Sequence, residues 1–279
     1  MDSWRNWHST AFDTEMQAAP RRHDLPEEVA IALTCNGTTQ AVMMGTPANL
    51  SDFATGFLVT EGLAHPDEIE AIEVIETEHG IDLQIRLEET ADARFAARRR
   101  SMTGPVGCGL CGIESLEVAM ATSPSVAAIE GPALATGDIP RAMTLLPTFQ
   151  PLHDTTRAVH GAAFYQPAKG IILAREDVGR HNALDKLVGA MIADGIDAVS
   201  GAILITSRVS IDMVQKALRA GCPILIAVSA PTASALDLAE QSGLTVVGLA
   251  RGSRFEVFTH PERIHPDPVV NEVPNHASR

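Results

Sequence analysis

Two cysteines stand at a spacing that could do chemistry, Cys108 and Cys111 in the segment Gly107-Cys-Gly-Leu-Cys-Gly112. The two intervening residues allow both sulfurs to reach one point, so the pair could hold a metal, form a disulfide or share thiol chemistry. The other cysteines, Cys35 and Cys222, stand singly beside apolar runs. Because free cysteine is among the most buried residue types, we interpret both as small buried hydrophobic side chains.

Several chemical interpretations of the pair compete. A structural zinc site usually has four protein ligands, yet the sequence holds no second Cys-x-x-Cys motif and no histidine between His79 and His153. A thioredoxin-like redox motif begins a helix directly after a strand, whereas the residues before Cys108 do not have the pattern of a strand. The third interpretation is a mobile nucleophilic loop that carries sulfur. The alternative of two inert, buried thiols fits poorly with so many neighbouring glycines.

The residues around the pair favour a sulfur-carrying loop. Its glycines remove side-chain bulk and free the backbone; they are Gly104, Gly107, Gly109 and Gly112. Four arginines lie just upstream, at positions 94, 98, 99 and 100. If these arginines fold near the loop, they lower the thiol pKa and favour a thiolate or persulfide anion. If they do not, they form the solvated face of a short helix predicted from Ala91 to Arg100.

Basic residues also follow a strand predicted near the end of the chain. The stretch Leu249-Ala250-Arg251-Gly252-Ser253-Arg254 comes after a strand that begins at Leu244, at the edge of an open α/β sheet where ligands bind. Gly252 would allow a ligand close to the backbone, and Arg251 and Arg254 could pair with phosphate oxygens. From the residues alone, an ordinary hairpin turn with two surface arginines explains the same stretch.

Other polar residues are expected at this edge of the sheet. Ser207, Arg208 and Ser229 each follow a predicted strand. His181 falls in the first turn of a predicted helix, where a satisfied structural residue is a better interpretation than a catalyst.

Composition and charge argue against several classes of function. The 279 residues carry a formal net charge of −14, which repels a phosphate backbone and argues against nucleic acid as a general partner. No apolar stretch is long enough to cross a membrane, and the first 20 residues lack the apolar run of a secretory signal. We therefore expect a cytoplasmic protein with reduced thiols.

The apolar pattern predicts an α/β protein in four segments. Residues 1–26 are expected to be a disordered N-terminal segment and residues 261–279 a disordered, proline-rich tail. Residues 27–130 are expected to form a smaller α+β part that ends in the cysteine loop region, with a helix from Leu50 to Leu63 capped by Ser51. In residues 131–260, short apolar strands alternate with helices, which predicts parallel βαβ units with helices on both faces of a sheet.

Several motifs together resemble the formate dehydrogenase accessory sulfurtransferases, the FdhD family. The resemblance covers roughly residues 28 to 264, and the cysteine segment matches the family signature. The other motifs are Gly56-Phe-Leu-Val-Thr-Glu-Gly62, Arg175-Glu-Asp-Val-Gly-Arg-His-Asn-Ala-Leu-Asp-Lys-Leu187, Thr206-Ser-Arg-Val-Ser-Ile-Asp-Met-Val-Gln-Lys216, Val228-Ser-Ala-Pro-Thr232 and Phe258-Thr-His-Pro261. Thr206, Ile211 and Asp212 stand where the family usually has Ser, Tyr and Glu, which are mild departures.

The resemblance implies a fold, an activity and partners. The fold is a three-layer α/β sandwich like that of cytidine deaminases, with the smaller N-terminal α+β part beside it, and the protein is a homodimer. The activity is transfer of persulfide sulfur from a cysteine desulfurase to the bis-guanine-dinucleotide molybdenum cofactor, which formate dehydrogenase then receives. That cofactor is a bound substrate, and no permanent cofactor or metal is expected. The family's persulfide cysteine corresponds to Cys108, with Cys111 beside it, and its cofactor-binding stretch to Leu249 through Arg254.

Two other function classes stay open. A zinc-dependent nucleoside deaminase would share the fold, but it needs a His-x-Glu or Cys-x-Glu upstream of Pro-Cys-x-x-Cys. Here Gly107 precedes the first cysteine, and neither upstream motif is present. The second alternative is a cofactor chaperone that binds and hands over its cargo without chemistry, and such a protein would tolerate replacement of the cysteines.

Overall fold

The computed structural model describes residues 1–14, 16–88, 124–129 and 131–267. The predicted helix from Ala91 to Arg100 and both members of the cysteine pair, Cys108 and Cys111, lie outside these ranges.

Strands and helices are numbered here in chain order. The strands are β1 (Trp4–Phe12), β2 (Ala18–Pro26), β3 (Val29–Cys35), β4 (Thr38–Gly45), β5 (Ile69–Thr77), β6 (Gly80–Leu87), β7 (Leu134–Ala135), β8 (His160–Gln166), β9 (Gly170–Asp177), β10 (Ala202–Ile205), β11 (Ile224–Ala227), β12 (Thr245–Arg251), β13 (Arg254–Thr259) and β14 (Ile264–His265). The α-helices are α1 (Leu50–Thr60), α2 (Asp138–Leu145), α3 (Pro151–Thr156), α4 (Arg180–Ala193), α5 (Ile211–Arg219) and α6 (Ala233–Ser242).

A six-stranded mixed sheet forms the larger half of the fold, in the order β13-β12-β11-β10-β8-β9. Strands β10, β11 and β12 are parallel, and helices α5 and α6 connect them. The four residues of β10 and of β11 are all buried, as expected for short apolar strands covered on both faces. The predicted parallel βαβ units are therefore confirmed.

Alternate residues of these strands enter two separate cores. Ile203 and Ile205 of β10 join the core under α4, α5 and α6, whereas Ala202 and Leu204 join the core that includes Ile139 and other residues of α2. This alternation follows from the two-residue period of a strand. The sheet is thus covered by helices on both sides, which confirms the three-layer α/β sandwich.

The smaller part consists of a four-stranded sheet, β4-β3-β6-β5, with α1 on one face. Helix α1 packs closely on α4 because both helices carry glycine at the contact. A Cβ atom on Gly56 would lie 1.7 Å from the Asp185 carbonyl oxygen, and one on Gly189 would lie 1.9 Å from the Asp52 carbonyl oxygen. The predicted cap of α1 is wrong, since Asn49 occupies the N-cap position and Ser51 lies inside the helix. The segment boundaries at residues 130 and 260 stay a prediction.

The two chain ends contain regular structure where the sequence predicts disorder. Strands β1 and β2 pair antiparallel over their whole length, from Trp4 opposite Pro26 to Phe12 opposite Ala18, and β2 contacts α3. At the other end, β14 pairs with β7. The prolines and polar residues of these segments gave no strand pattern, so neither the β1–β2 pairing nor the β14–β7 pairing was predicted. Strands can pair through their backbone hydrogen bonds without an apolar pattern. Among the described residues, no helix is long and apolar enough to span a membrane.

Candidate functional site at the carboxyl edge of the larger sheet

Four strands of the larger sheet end at one edge. Strands β10, β11 and β12 are parallel, and β9 runs the same way because it and β10 are both antiparallel to β8. Helices α4, α5 and α6 each follow one of these strands and begin at the same edge. The topology therefore brings together the residues after each strand. The sequence predicts this for Ser207, Arg208, Ser229 and the stretch from Leu249 to Arg254, and the structure adds His181.

The predicted cofactor-binding stretch comprises the end of β12, the turn at Gly252 and Ser253, and the first residue of β13. Leu249 has a left-handed backbone with φ of 53°, and Gly252 has φ of 56°. A register shift lies between Gly248 and Arg251, which themselves pair with Glu256 and Arg254. A left-handed backbone is uncommon for a non-glycine residue and marks a turn, a cap or a functional site.

Two hydrogen bonds attach this turn to β11. The Leu249 amide donates to the Ser229 carbonyl at 3.2 Å, and Arg251 Nε donates to the Val228 carbonyl at 3.1 Å. Arg251 and Arg254 are both exposed. Both predicted interpretations of this stretch are therefore compatible with its geometry, since it is a hairpin turn with surface arginines and also lies at the ligand-binding edge.

Two open depressions flank the turn. One has a volume of about 400 Å³ and is lined by α2 and the turn, through Pro140, Arg141, Thr144, Leu145, Gly252 and Ser253. The other has a volume of about 480 Å³ and is lined by Leu249, Ser253, Arg254, Phe255 and Glu256. Each depression contains one arginine, and Ser253 borders both.

Residues after β10 connect this edge to β8. The Gly161 amide donates to Thr206 Oγ1 at 3.0 Å, and the Thr206 amide donates to the Gly161 carbonyl at 3.1 Å. Threonine at this position, where the resembling family usually has serine, therefore keeps the hydroxyl acceptor. Ser207 is buried, and its hydroxyl donates to the Arg208 carbonyl at 3.0 Å. The Arg208 side chain is exposed at the edge.

His181 is not the satisfied structural residue that the sequence predicts. Its Nε2 atom is buried and has no hydrogen-bond partner among the described residues, and it lies 3.7 Å from Asp212 Oδ2. Burial, followed by the charges of Arg180 and Lys216, lowers the pKa of His181 to about 4. The imidazole is therefore neutral at pH 7 even though a carboxylate lies nearby.

A buried ion pair fixes the end of β9 to the end of β4. Lys186 Nζ lies 2.6 Å from Asp177 Oδ2 and donates to the Thr46 carbonyl at 2.8 Å. Asp177 also accepts hydrogen bonds from the amides of Thr46 and Gly179. Asn182 joins the cluster by donating to Asp177 Oδ1 and to a backbone carbonyl of β4. The longest motif of the sequence therefore holds the two sheets together.

A second buried pair connects α5, α4 and the end of α1. Lys216 Nζ lies 2.8 Å from Asp185 Oδ1 and donates to Glu61 Oε1 at 2.8 Å and to Thr60 Oγ1 at 3.0 Å. Burial alone would lower the pKa of Lys216, but the carboxylates of Asp185 and Glu61 raise it. Neither cluster was predicted from the sequence. The charged residues of these helices have apolar neighbours along the chain. This pattern could have indicated that the charged side chains are buried.

The described cysteines fit the prediction made for them. Cys35 and Cys222 are both buried, and burial raises the pKa of the Cys222 thiol to about 12. Neither is therefore suited to nucleophilic chemistry, which requires an accessible thiolate. The roles assigned to Cys108 and Cys111 stay predictions.

Comparison with known proteins gives a consistent result. The model of the FdhD/NarQ family matches residues 26–265. A protein from Agrobacterium fabrum named "Sulfur carrier protein FdhD" is 50% identical over 263 residues, which cover 94% of this chain and 96% of the relative. A protein of the same name from Brucella abortus is 49% identical over 241 residues, which cover 86% of this chain and 89% of the relative.

A solved structure shares the fold. The crystal structure of a protein described as a formate dehydrogenase accessory protein from Desulfotalea psychrophila superimposes with a TM-score of 0.74, covering 95% of this chain and 100% of that one. Its sequence identity is 24%, so this likeness concerns the fold alone.

Proposed function

Since this chain belongs to the FdhD/NarQ family, we propose that it carries sulfur for the maturation of formate dehydrogenase, as a persulfide on Cys108. The observation that carries the proposal is the high identity to proteins named sulfur carriers, together with the Cys-x-x-Cys pair in this chain. The burial of Cys35 and Cys222 supports the proposal, because Cys108 and Cys111 are then the cysteines that remain for the chemistry.

The loading step needs one nucleophilic thiolate and a persulfide donor. The thiolate of Cys108 attacks the outer sulfur of a donor persulfide R–S–SH, whose S–S bond breaks. The products are a Cys108 persulfide and the donor thiolate R–S⁻, so atoms and charge balance. We propose a cysteine desulfurase as the donor, since enzymes of that class form a protein persulfide from free cysteine. Cys111, three residues from Cys108, is proposed to act in the same reaction.

The acceptor we propose is the bis-guanine-dinucleotide molybdenum cofactor, bound as a substrate at the carboxyl edge of the larger sheet. The stretch from Leu249 to Arg254 supports this placement because it carries two exposed arginines, one of which, Arg254, lines an open depression. Arginine pairs with phosphate oxygens through charge-assisted hydrogen bonds. In an acidic chain, such local positive charge is what a phosphate-bearing ligand requires. We further propose that the protein works as a cytoplasmic homodimer.

Mass spectrometry of the intact protein tests the sulfur chemistry. The protein is incubated with a cysteine desulfurase and cysteine, and its mass is measured before and after treatment with a thiol reductant. We expect a gain of one sulfur atom that the reductant removes and that Cys108→Ala prevents. A chaperone without sulfur chemistry would show no gain. A zinc-dependent deaminase would contain stoichiometric zinc, which elemental analysis of the same sample detects.

A further inference from the structure

The hairpin of β1 and β2, called the arm below, leaves both of its faces exposed. All residues of β1 except Ala11, and all residues of β2 except Asp24 and Pro26, are exposed. Beyond the hairpin, the arm contacts the rest of the described chain chiefly where β2 meets α3. A two-stranded ribbon is at best marginally stable in water unless it packs on another surface. The arm therefore needs a surface that the described part of a single chain does not supply.

Large apolar side chains are concentrated on the arm. It holds both tryptophans of the chain, and Trp4 is 41% exposed, Trp7 54% and Phe12 62%. Because side chains alternate along a strand, Trp7 lies on one face of the arm, and Trp4 and Phe12 lie on the other. Clusters of exposed apolar side chains mark sites of interaction with other molecules.

The face of the arm that carries Trp7 is also basic. The Arg5 guanidinium lies over the Trp7 ring, 5.6 Å from its centroid, and Leu25 pairs with Arg5 across the hairpin. Arg5 forms an ion pair with Glu27, and Arg21 adds an exposed positive charge to the same face. Tryptophan and arginine are the side chains that most often dominate protein–protein contacts. An apolar surface with acidic residues would complement this face.

The smaller sheet has such a surface on the face opposite α1, called the open face below. Val42 is 62% exposed there, Met44 51% and Ile75 38%. Met43 packs against the core under α1, which places its two neighbours on the opposite face of the strand. Ile75 pairs with Asp82 on the adjacent strand, so a carboxylate lies beside these apolar side chains.

We propose that the Trp7 face of the arm packs against the open face of a second molecule of this chain, whose own arm does the same in return. This inference rests on the proposed homodimer and identifies its interface. Arg21 then meets a surface that carries the carboxylates of Glu73 and Asp82. Each strand of the arm has 9 residues. Such a ribbon is about 30 Å long, and two contacts related by a twofold axis bury roughly 1,200 Å² in total, the lower limit for a specific interface.

Fluorescence tests this interface because the arm contains both tryptophans of the chain. The full chain is diluted in steps, and sedimentation velocity and tryptophan emission are measured at the same concentrations. We expect the dimer to dissociate into monomers on dilution. The emission should shift to longer wavelength over the same concentration range, because Trp7 becomes exposed to water when the second molecule leaves.

Two substitutions at neighbouring residues of β5 provide a matched comparison. Ile75→Asp places a carboxylate on the open face and should raise the dissociation constant of the dimer at least about tenfold, because the charge would be buried without a partner. Val74→Asp places the same charge on the other face of the strand, at a side chain that is 40% exposed, and should leave the constant unchanged. Trp7→Ala should weaken the dimer as Ile75→Asp does. Circular dichroism shows whether each variant is folded, and Val42→Asp replaces Ile75→Asp if that variant is not.

The comparison with Ile75→Asp is decisive even if the wild-type dimer does not dissociate on dilution. A dimer whose tryptophan emission is the same in the wild type and in Ile75→Asp would overturn the inference, as would a wild type that is monomeric at every concentration. An emission shift to shorter wavelength that occurs only when a different protein is added would also overturn it, since the arm would then have another partner. Persulfide formation on Cys108 is measured separately by mass, so failure of this interface is distinguishable from failure of the proposed sulfur chemistry.

Discussion

Lys186 on α4 donates a hydrogen bond of 2.6 Å to Asp177 at the end of β9, and both side chains are completely buried. The same ammonium group donates to the Thr46 carbonyl, which follows β4. One lysine therefore joins the smaller sheet to the helix that begins at the candidate site. Taking two charges out of water is costly, so the pair serves to define one arrangement of these elements more than to add net stability.

Replacing Lys186 should destabilise the fold strongly. Lys186→Met keeps most of the volume but leaves the Asp177 carboxylate buried without its cation, and we expect a loss of about 3 kcal/mol in the free energy of unfolding. Urea denaturation, monitored by circular dichroism, measures this loss of stability. The control Lys169→Met removes the same charge from an exposed loop and should change stability by less than about 0.5 kcal/mol. Equal effects of the two substitutions would contradict the buried pair.

Cys108→Ala should abolish the maturation of formate dehydrogenase without unfolding the protein. The reason is that the proposed persulfide forms on Cys108, and the buried Cys35 and Cys222 cannot replace it. Cys111→Ala should be less severe, since one thiol suffices to carry a sulfane sulfur. Formate dehydrogenase activity in a strain that lacks the wild-type protein provides the measurement.

Two controls accompany the cysteine variants. Cys222→Ala should retain activity, because the Cys222 thiol is buried with its pKa raised to about 12. Thermal unfolding of each variant shows whether lost activity reflects lost structure. Full activity of Cys108→Ala would rule out the assignment to that residue, and equal losses in Cys108→Ala and Cys111→Ala would mean that the two sulfurs act together.

The larger sheet was predictable because its strands are short apolar runs that alternate with amphipathic helices. Ile224–Ala227 is the clearest example, since such a run favours a strand covered on both faces. The position of Ser229 and of the stretch from Leu249 to Arg254 at one edge followed from the same pattern, because parallel strands end together.

Tertiary partners explain what the sequence did not predict. Lys186 is buried because Asp177 and Thr46 surround it, and the residues along the helix contain no sign of those partners. The hairpin of β1 and β2 was missed because polar residues and prolines such as Pro20 occur within its strands. His181 was assigned a satisfied structural role, yet its burial leaves a ring nitrogen unpaired within the described structure.

The neutral state of His181 should make stability depend on pH. Its pKa in the folded protein is about 4, lowered from 6.5, so the unfolded chain binds a proton at a higher pH than the folded protein does. The associated stability is therefore complete above pH 6.5 and is lost as the pH falls toward 4. Between pH 7.5 and pH 5 this contribution amounts to roughly 2 kcal/mol.

A comparison of variants isolates this contribution. The wild type should lose about 2 kcal/mol more stability over that pH range than His181→Gln, which cannot titrate. Burial is the largest cause of the shift in the pKa of His181, and nearby charges are the next. The variant leaves these charges unchanged, which are those of Arg180, Lys216, Asp212 and Glu61. His79→Gln, at an exposed hairpin turn, should follow the wild type. A pH dependence of His181→Gln identical to that of the wild type would show that folding does not lower the pKa of His181.

Nucleotide affinity should depend on Arg254 and on salt. The chain carries a net charge of −14, so GDP is repelled except where arginines concentrate positive charge. A charge-assisted contact between arginine and phosphate is worth roughly tenfold to a hundredfold in affinity, and Arg254→Ala should weaken GDP binding by at least several-fold.

Because Arg254 is exposed, raising the ionic strength should weaken binding by the wild type as well. Arg86→Ala removes the same charge from an exposed position on the smaller sheet and should leave the affinity unchanged. Calorimetry on the three proteins decides the matter: equal affinities for Arg254→Ala and the wild type would move the nucleotide site away from the β12–β13 turn.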